Sequence, residues 1–137
     1  MNNEGYSDEK IKLVYHFKNI AVVGMSGKKE KPSHYVPNYM REHGFNVIPI
    51  NPNYDQIMGI RSFGKVSDVQ SEIDIVNVFR KSEDIPDVVK DILRKKNIKI
   101  LWLQEGIHNP TAEKIAINSG IQVIYNRCIM KEHMRLF

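Results

Sequence analysis

The stretch Ile20-Ala21-Val22-Val23-Gly24-Met25-Ser26-Gly27 constrains this chain more than any other. Apolar residues run into a glycine without alternating with polar ones, the pattern of a strand buried on both faces of a parallel sheet. Gly24 falls where such a strand must turn sharply and let its backbone come close to a ligand. Ser26 and Gly27 are small enough to keep that turn open. Exposed amides at a strand-to-helix turn form an anion site, helped by the positive end of the helix dipole. The dinucleotide fingerprint G-x-G-x-x-G is not met, because Ser26 and Lys29 stand where its second and third glycines belong. A tight turn with no ligand is the alternative reading.

The remaining chain repeats the strand-then-helix theme. Ser7 caps a first helix, with Asp8 and Glu9 at its positive end and Ile11, Val14 and Tyr15 on one face. After the first strand comes a polar, mainly basic loop from Lys28 to Ser33 that includes Lys31. A helix then runs to about Gly44, and Pro37 is expected within its first turn. Phe45 to Ile50 form the second strand, and Gly59 to Ser67 read as a short edge strand with its connections. Ile73 to Phe79 form a further buried strand. Ile85, Val88, Val89, Ile92 and Leu93 are spaced as an amphipathic helix. The strand Ile98 to Leu103 precedes a helix capped by Asn109, opened by Pro110 and stopped by Gly120. Gln122 to Tyr125 form the last strand, and a C-terminal helix carries Ile129, Met130, Met134 and Leu136. The expected fold is α/β: a Rossmann-like, doubly wound, mainly parallel sheet with helices on both faces. Residues 1–137 read as a single such domain, with 1–19 an N-terminal helical segment packed on it.

Composition excludes several classes. With 42% apolar and 26% charged residues the chain is globular. A net charge of +4 favours anionic partners in general without implying nucleic acid or membrane. No apolar run approaches the roughly 20 residues that span a bilayer, and the opening residues have no secretory character, so the expected compartment is the cytoplasm. Cys128 is the single cysteine, which rules out an internal disulfide and a multi-cysteine metal site. The five histidines show no ligand spacing, and no metal is expected. His34 reads as a helix-surface residue and Trp102 as core. Self-association is left open.

Ligands of doubly wound sheets bind beyond the carboxyl ends of the strands, where the winding reverses. Those ends supply Gly24-Met25-Ser26, Asn51-Pro52, Val78-Phe79-Arg80, Gln104-Glu105-Gly106 and Asn126-Arg127-Cys128. A glycine turn, a guanidinium, small amides and apolar surface suit a long ligand with a phosphorylated head and a less polar tail. They offer no obvious catalytic set. A nicotinamide-binding fold usually places an acidic residue after the second strand to bind the ribose. Asn51 and Pro52 stand there instead, and Asp55 comes too late.

At these positions the segments VVGMS, KPSHYV, VIPINPNY, VNVFRKSED, LWLQEGI and NRCIMKEH resemble, in order, the stand-alone CoA-binding proteins. Those are similar to the N-terminal CoA-binding domain of the succinyl-CoA synthetase α subunit. The resemblance covers nearly everything from Ile20 onward and implies coenzyme A or an acyl-CoA as ligand. It places Gly24, Met25, Ser26 and Ser33 along the pyrophosphate and the start of the pantetheine, and Asn51 and Pro52 at the adenosine end. Val78, Phe79 and Arg80 would flank the cofactor across the cleft, and Gln104, Glu105 and Gly106 would lie nearer the pantetheine tail. Lys31, Asn126 and Cys128 complete the candidate set. Cys128 reads either as a small buried thiol or as a group that meets the CoA thiol. Arg80 reads either as a phosphate ligand or as a surface partner of Glu83 or Asp84. So short a chain has no counterpart of the synthetase's phosphohistidine or ATP-binding domains, so the resemblance implies a binding module.

Two other functions compete. An NAD(P)-linked oxidoreductase is disfavoured by the missing acidic residue after Ile50. A nucleic-acid protein using Lys28, Lys29, Lys31 and Arg94 to Lys96 is disfavoured because these cations are scattered and lack interleaved aromatics.

Overall fold

The computed structural model describes residues 6–137. The start of the expected N-terminal segment, residues 1–5, lies outside them. A parallel sheet is built from β1 (Asn19–Val23), β2 (Asn46–Ile50), β5 (Ile75–Val78), β6 (Ile100–Leu103) and β7 (Gln122–Ile124), in the order β2-β1-β5-β6-β7. All pairings in it are parallel. The chain leaves β1 for β2 on one side and returns past it to β5, so the winding reverses between β1 and β5. That reversal opens the crevice in which such sheets take ligands.

The helices divide between the faces as the winding requires. Ile20, Val22, Ile75, Ile100 and Trp102 pack with α1 (Asp8–Val14), α2 (Pro32–Glu42) and α5 (Ile129–Leu136). Ala21, Val76, Val78, Leu101 and Leu103 point the other way and pack with α3 (Ile85–Ile92) and α4 (Pro110–Asn118). Both faces of β1 are therefore buried, which is why its sequence does not alternate. Asn109 caps α4 by accepting the Ala112 N–H at 3.1 Å, as its place before Pro110 predicts.

The expected edge strand over 59–67 is instead a small antiparallel hairpin, β3 (Gln56–Ile57) and β4 (Ile60–Arg61), followed by a 3₁₀ turn at Val66–Asp68. Phe63 bridges Ile50, the segment's one β-bridge to the sheet among the described residues. Its apolar residues are too few and too interrupted to form a longer ladder. Met134 is exposed rather than packed, because the buried face of α5 is carried by Ile129 and Glu132.

Pro37 lies in the second turn of α2, not the first, which Pro32 occupies. A residue there would ordinarily donate to the Ser33 carbonyl. Proline cannot, and that carbonyl accepts the Ser26 N–H at 3.1 Å instead. The irregularity in the helix thus fixes the turn after β1.

Candidate functional site

The turn after β1 is closed rather than open. Gly24 has φ +82°, a conformation that strains any residue with a side chain. A Cβ there would lie 2.7 Å from the Phe79 carbonyl oxygen and 3.1 Å from Arg80 Cδ. What comes close to Gly24 on the side a Cβ would take is the end of β5. The turn's amides are largely spent: Gly24 donates to Ile50 O, Ser26 to Ser33 O, and Lys28 to Ser26 Oγ. His34 is buried, not on the helix surface, and its Nδ1 donates to Ser26 O at 2.7 Å. Tyr54 lies so close to Gly27 that a Cβ there would sit 2.8 Å from its ring. The Gly27 amide and the Ser26 hydroxyl beside that ring hold the Tyr54 phenol below its ordinary pKa. The turn is thus a braced wall, with several of its amides already bonded within the protein.

Two clefts flank this wall. One, of about 410 Å³, opens on the α2–α5 face and is lined by Lys31, Ser33, Tyr35, Phe79, Arg80, Gln104, Glu105, Ile107, Cys128, Met130 and Lys131. The other, of about 330 Å³, opens on the α3 face and is lined by Val23, Ile50, Lys65, Arg80, Val88, Lys90 and Arg94, with Asp84, Asp87 and Asp91. Arg80 belongs to both, so the clefts meet over the carboxyl edge of the sheet where the winding reverses. Its guanidinium pairs with Asp84 at 3.1 Å and remains half exposed. The surface pair with Asp84 is thereby realised, and the same side chain lines the crevice.

Most of the other candidate residues brace the site. Met25 and Val78 are fully buried and present no side chain to either cleft. Asn51 donates from Nδ2 to Met25 O at 2.8 Å and accepts from Asn53 N, tying the ends of β1 and β2 together. Pro52 is exposed in the following turn. Asn126, at φ 56°, accepts the Gly106 N–H at 2.7 Å and so holds the loop after β6. Glu105 pairs with Lys131 at 3.0 Å at the cleft mouth, which raises the ammonium's pKa. Cys128 is 5% exposed and forms part of the cleft wall at the start of α5. Gln104 is 6% exposed, and its Oε1 accepts from Asn77 Nδ2 and Ile129 N, each at 3.0 Å. Sequence reasoning missed Tyr35, Ile107, Met130 and Lys131 as lining residues. Tyr35, Ile107 and Lys131 carry no signal of their own in the sequence, and Met130 reads only as a residue of the C-terminal helix. It also missed Lys65, Lys90 and Arg94 as one group, because they come together only in the fold.

A family model described as a CoA binding domain matches residues 18–134. The Bacillus subtilis (strain 168) protein YneT is 34% identical over 133 residues, covering 97% of each chain. A Methanocaldococcus jannaschii ADP-forming acetate–CoA ligase is 28% identical over 139 residues, which span 94% of this chain but only 20% of the ligase. A solved structure from Pyrococcus horikoshii OT3 superposes with a TM-score of 0.92 at 36% identity, covering 96% of this chain and 93% of that one.

Proposed function

The chain belongs to the CoA-binding domain family, and from that premise we propose that it binds coenzyme A or an acyl-CoA across the carboxyl edge of its sheet. The observation that carries this reading is the pair of clefts joined at Arg80. A ligand with a nucleotide head and a long tail needs two unlike compartments and a cation between them. The α3-side cleft suits the phosphorylated head, because Lys65, Arg80, Lys90 and Arg94 outnumber Asp84, Asp87 and Asp91 in its lining. The α2–α5 cleft suits the tail, with Phe79, Ile107 and Met130 supplying apolar wall and Lys31 and Lys131 at hand. Phosphate recognition then rests on side-chain cations more than on backbone amides.

The residues supply binding and orientation, and nothing in their arrangement favours a reaction over a binding role. The oxidoreductase reading stays disfavoured, since an asparagine engaged with the neighbouring loops stands where a carboxylate would bind the ribose. Among the described residues no helix is long and apolar enough to cross a membrane. We place the protein in the cytoplasm, where a lone thiol such as Cys128 stays reduced.

Calorimetric titration at fixed salt tests the reading. CoA should bind at least about tenfold more tightly than NAD. Binding of NAD without binding of CoA would overturn it.

A further inference from the structure

β5 reads Ile-Val-Asn-Val, and Asn77 is the one polar residue in a strand buried on both faces. It is 1% exposed and lies opposite Val22 of β1 and Trp102 of β6. Its Oδ1 is buried without a hydrogen-bond partner among the described residues. A valine in its place would remove that cost, so the amide is not there for the core. What Asn77 does is donate from Nδ2 to Gln104 Oε1 at 3.0 Å.

Gln104 sits two residues beyond Trp102, on the sheet face that carries the α2–α5 cleft. Its side-chain oxygen receives the Asn77 amide and the first N–H of α5, from Ile129. Both neighbours are donors, so the atom between them must be the oxygen. The nitrogen is therefore turned to the remaining side, where the cleft opens. Among the described residues Nε2 has no protein acceptor, although the residue as a whole is 6% exposed. Nε2 is not one of the buried atoms without a partner, so it meets the open cleft, and the side chain, held at its oxygen, cannot flip to offer an acceptor.

We propose that Gln104, held by Asn77, reads a carbonyl oxygen of the ligand's tail. This rests on the CoA reading above and goes further, because it fixes the polarity of recognition. A free thiol is a poor acceptor, whereas an amide or thioester carbonyl accepts well. The tail of an acyl-CoA carries carbonyls of both kinds. Asn77 acts through Gln104 and is a positioning residue.

Calorimetry with acetyl-CoA, CoA and the tail-less 3′,5′-ADP on the wild type, Gln104→Leu and Asn77→Val tests this. Gln104→Leu should weaken the tailed ligands about tenfold and leave 3′,5′-ADP unchanged. A loss confined to acetyl-CoA assigns the thioester carbonyl, and an equal loss for acetyl-CoA and CoA assigns a pantetheine amide. Asn77→Val should show the same selectivity, more weakly, while its melting temperature holds or rises. Equal losses for tailed and tail-less ligands, or no loss at all, would overturn the inference and leave the CoA reading standing. Failure of the wild type to bind CoA and 3′,5′-ADP would overturn both.

Discussion

At the amino end of the sheet Asp74 accepts from Lys99 Nζ at 2.9 Å, from Asn19 N at 3.2 Å and from Asn19 Nδ2 at 3.1 Å. At the carboxyl end, Asn77 Oδ1 stays buried without a partner among the described residues, Gln104 Nε2 faces a cleft, and Arg80 is half exposed. Both ends belong to the same strands and the same core. The amino end has matched its polar groups to one another, whereas the carboxyl end leaves Asn77 Oδ1 unmatched among the described residues and turns Gln104 Nε2 and part of Arg80 to the clefts. An orphaned buried polar atom costs about 1–3 kcal/mol, so the mismatch is retained at a loss of stability. Local stability and capacity to bind are thus divided between the two ends.

The largest expected effect breaks the simplest form of that division. Gly24→Val should destabilise the fold by about 4 kcal/mol, since it combines a strained φ with a clash against the Phe79 carbonyl. Thermal melting followed by circular dichroism measures it. A normally stable variant would mean that the turn can move away from β5. Gly24 lies at the binding end, yet the fold itself depends on it.

Asp74→Ala probes the other end. Removing the carboxylate leaves the Lys99 ammonium and the Asn19 amides without it, and should cost about 2–3 kcal/mol in urea denaturation with CoA affinity unchanged. Burial pushes the Asp74 carboxyl up, but hydrogen bonds from Lys99 and Asn19 outweigh it and hold the group below its ordinary 3.8. Its folded pKa is depressed, so its stabilisation is full above about pH 4 and is lost as pH falls through the lowered value. The acid limb of the stability curve should therefore flatten in Asp74→Ala.

Arg80→Ala should do the reverse. Its ion pair with Asp84 is exposed, so unfolding free energy should change by no more than about 0.5 kcal/mol. CoA affinity should fall by about 1.5–3 kcal/mol, the range for a hydrogen bond to a charged group. A loss of stability with affinity intact would place Arg80 on the structural side. The smallest effect is expected at the cleft mouth. Glu105→Gln removes one carboxylate beside Lys131, should leave stability within about 0.5 kcal/mol, and should tighten CoA binding about twofold at low salt, read by calorimetry.

What the sequence allowed and what it withheld follow the same division. The buried strands, the alternation of strands with helices and the caps of α4 depend on local periodicity and turn chemistry, and all are visible in runs such as Ile20 to Gly24. The doubly wound, mainly parallel sheet followed from them, whereas the place of the reversal, between β1 and β5, did not. The hairpin at Gln56–Arg61 did not, because strands of two residues carry no periodic signal. The closed state of the glycine turn was hidden for another reason: it depends on Pro37, His34 and Tyr54, each reaching it from another segment. Gln104 was found as a strand-end residue, but its fixed orientation needs Asn77 and Ile129, which only the fold brings to it.

Amide NMR of the uniformly labelled protein during titration with CoA tests the central claim most directly. Resonances of Gly24 to Ser33, Phe79 and Arg80, Gln104 to Gly106 and Cys128 to Lys131 should shift together and saturate, while Asn19, Asp74 and Lys99 stay in place. Saturable shifts centred on the Asp74 end, or no shifts at ligand excess, would contradict it.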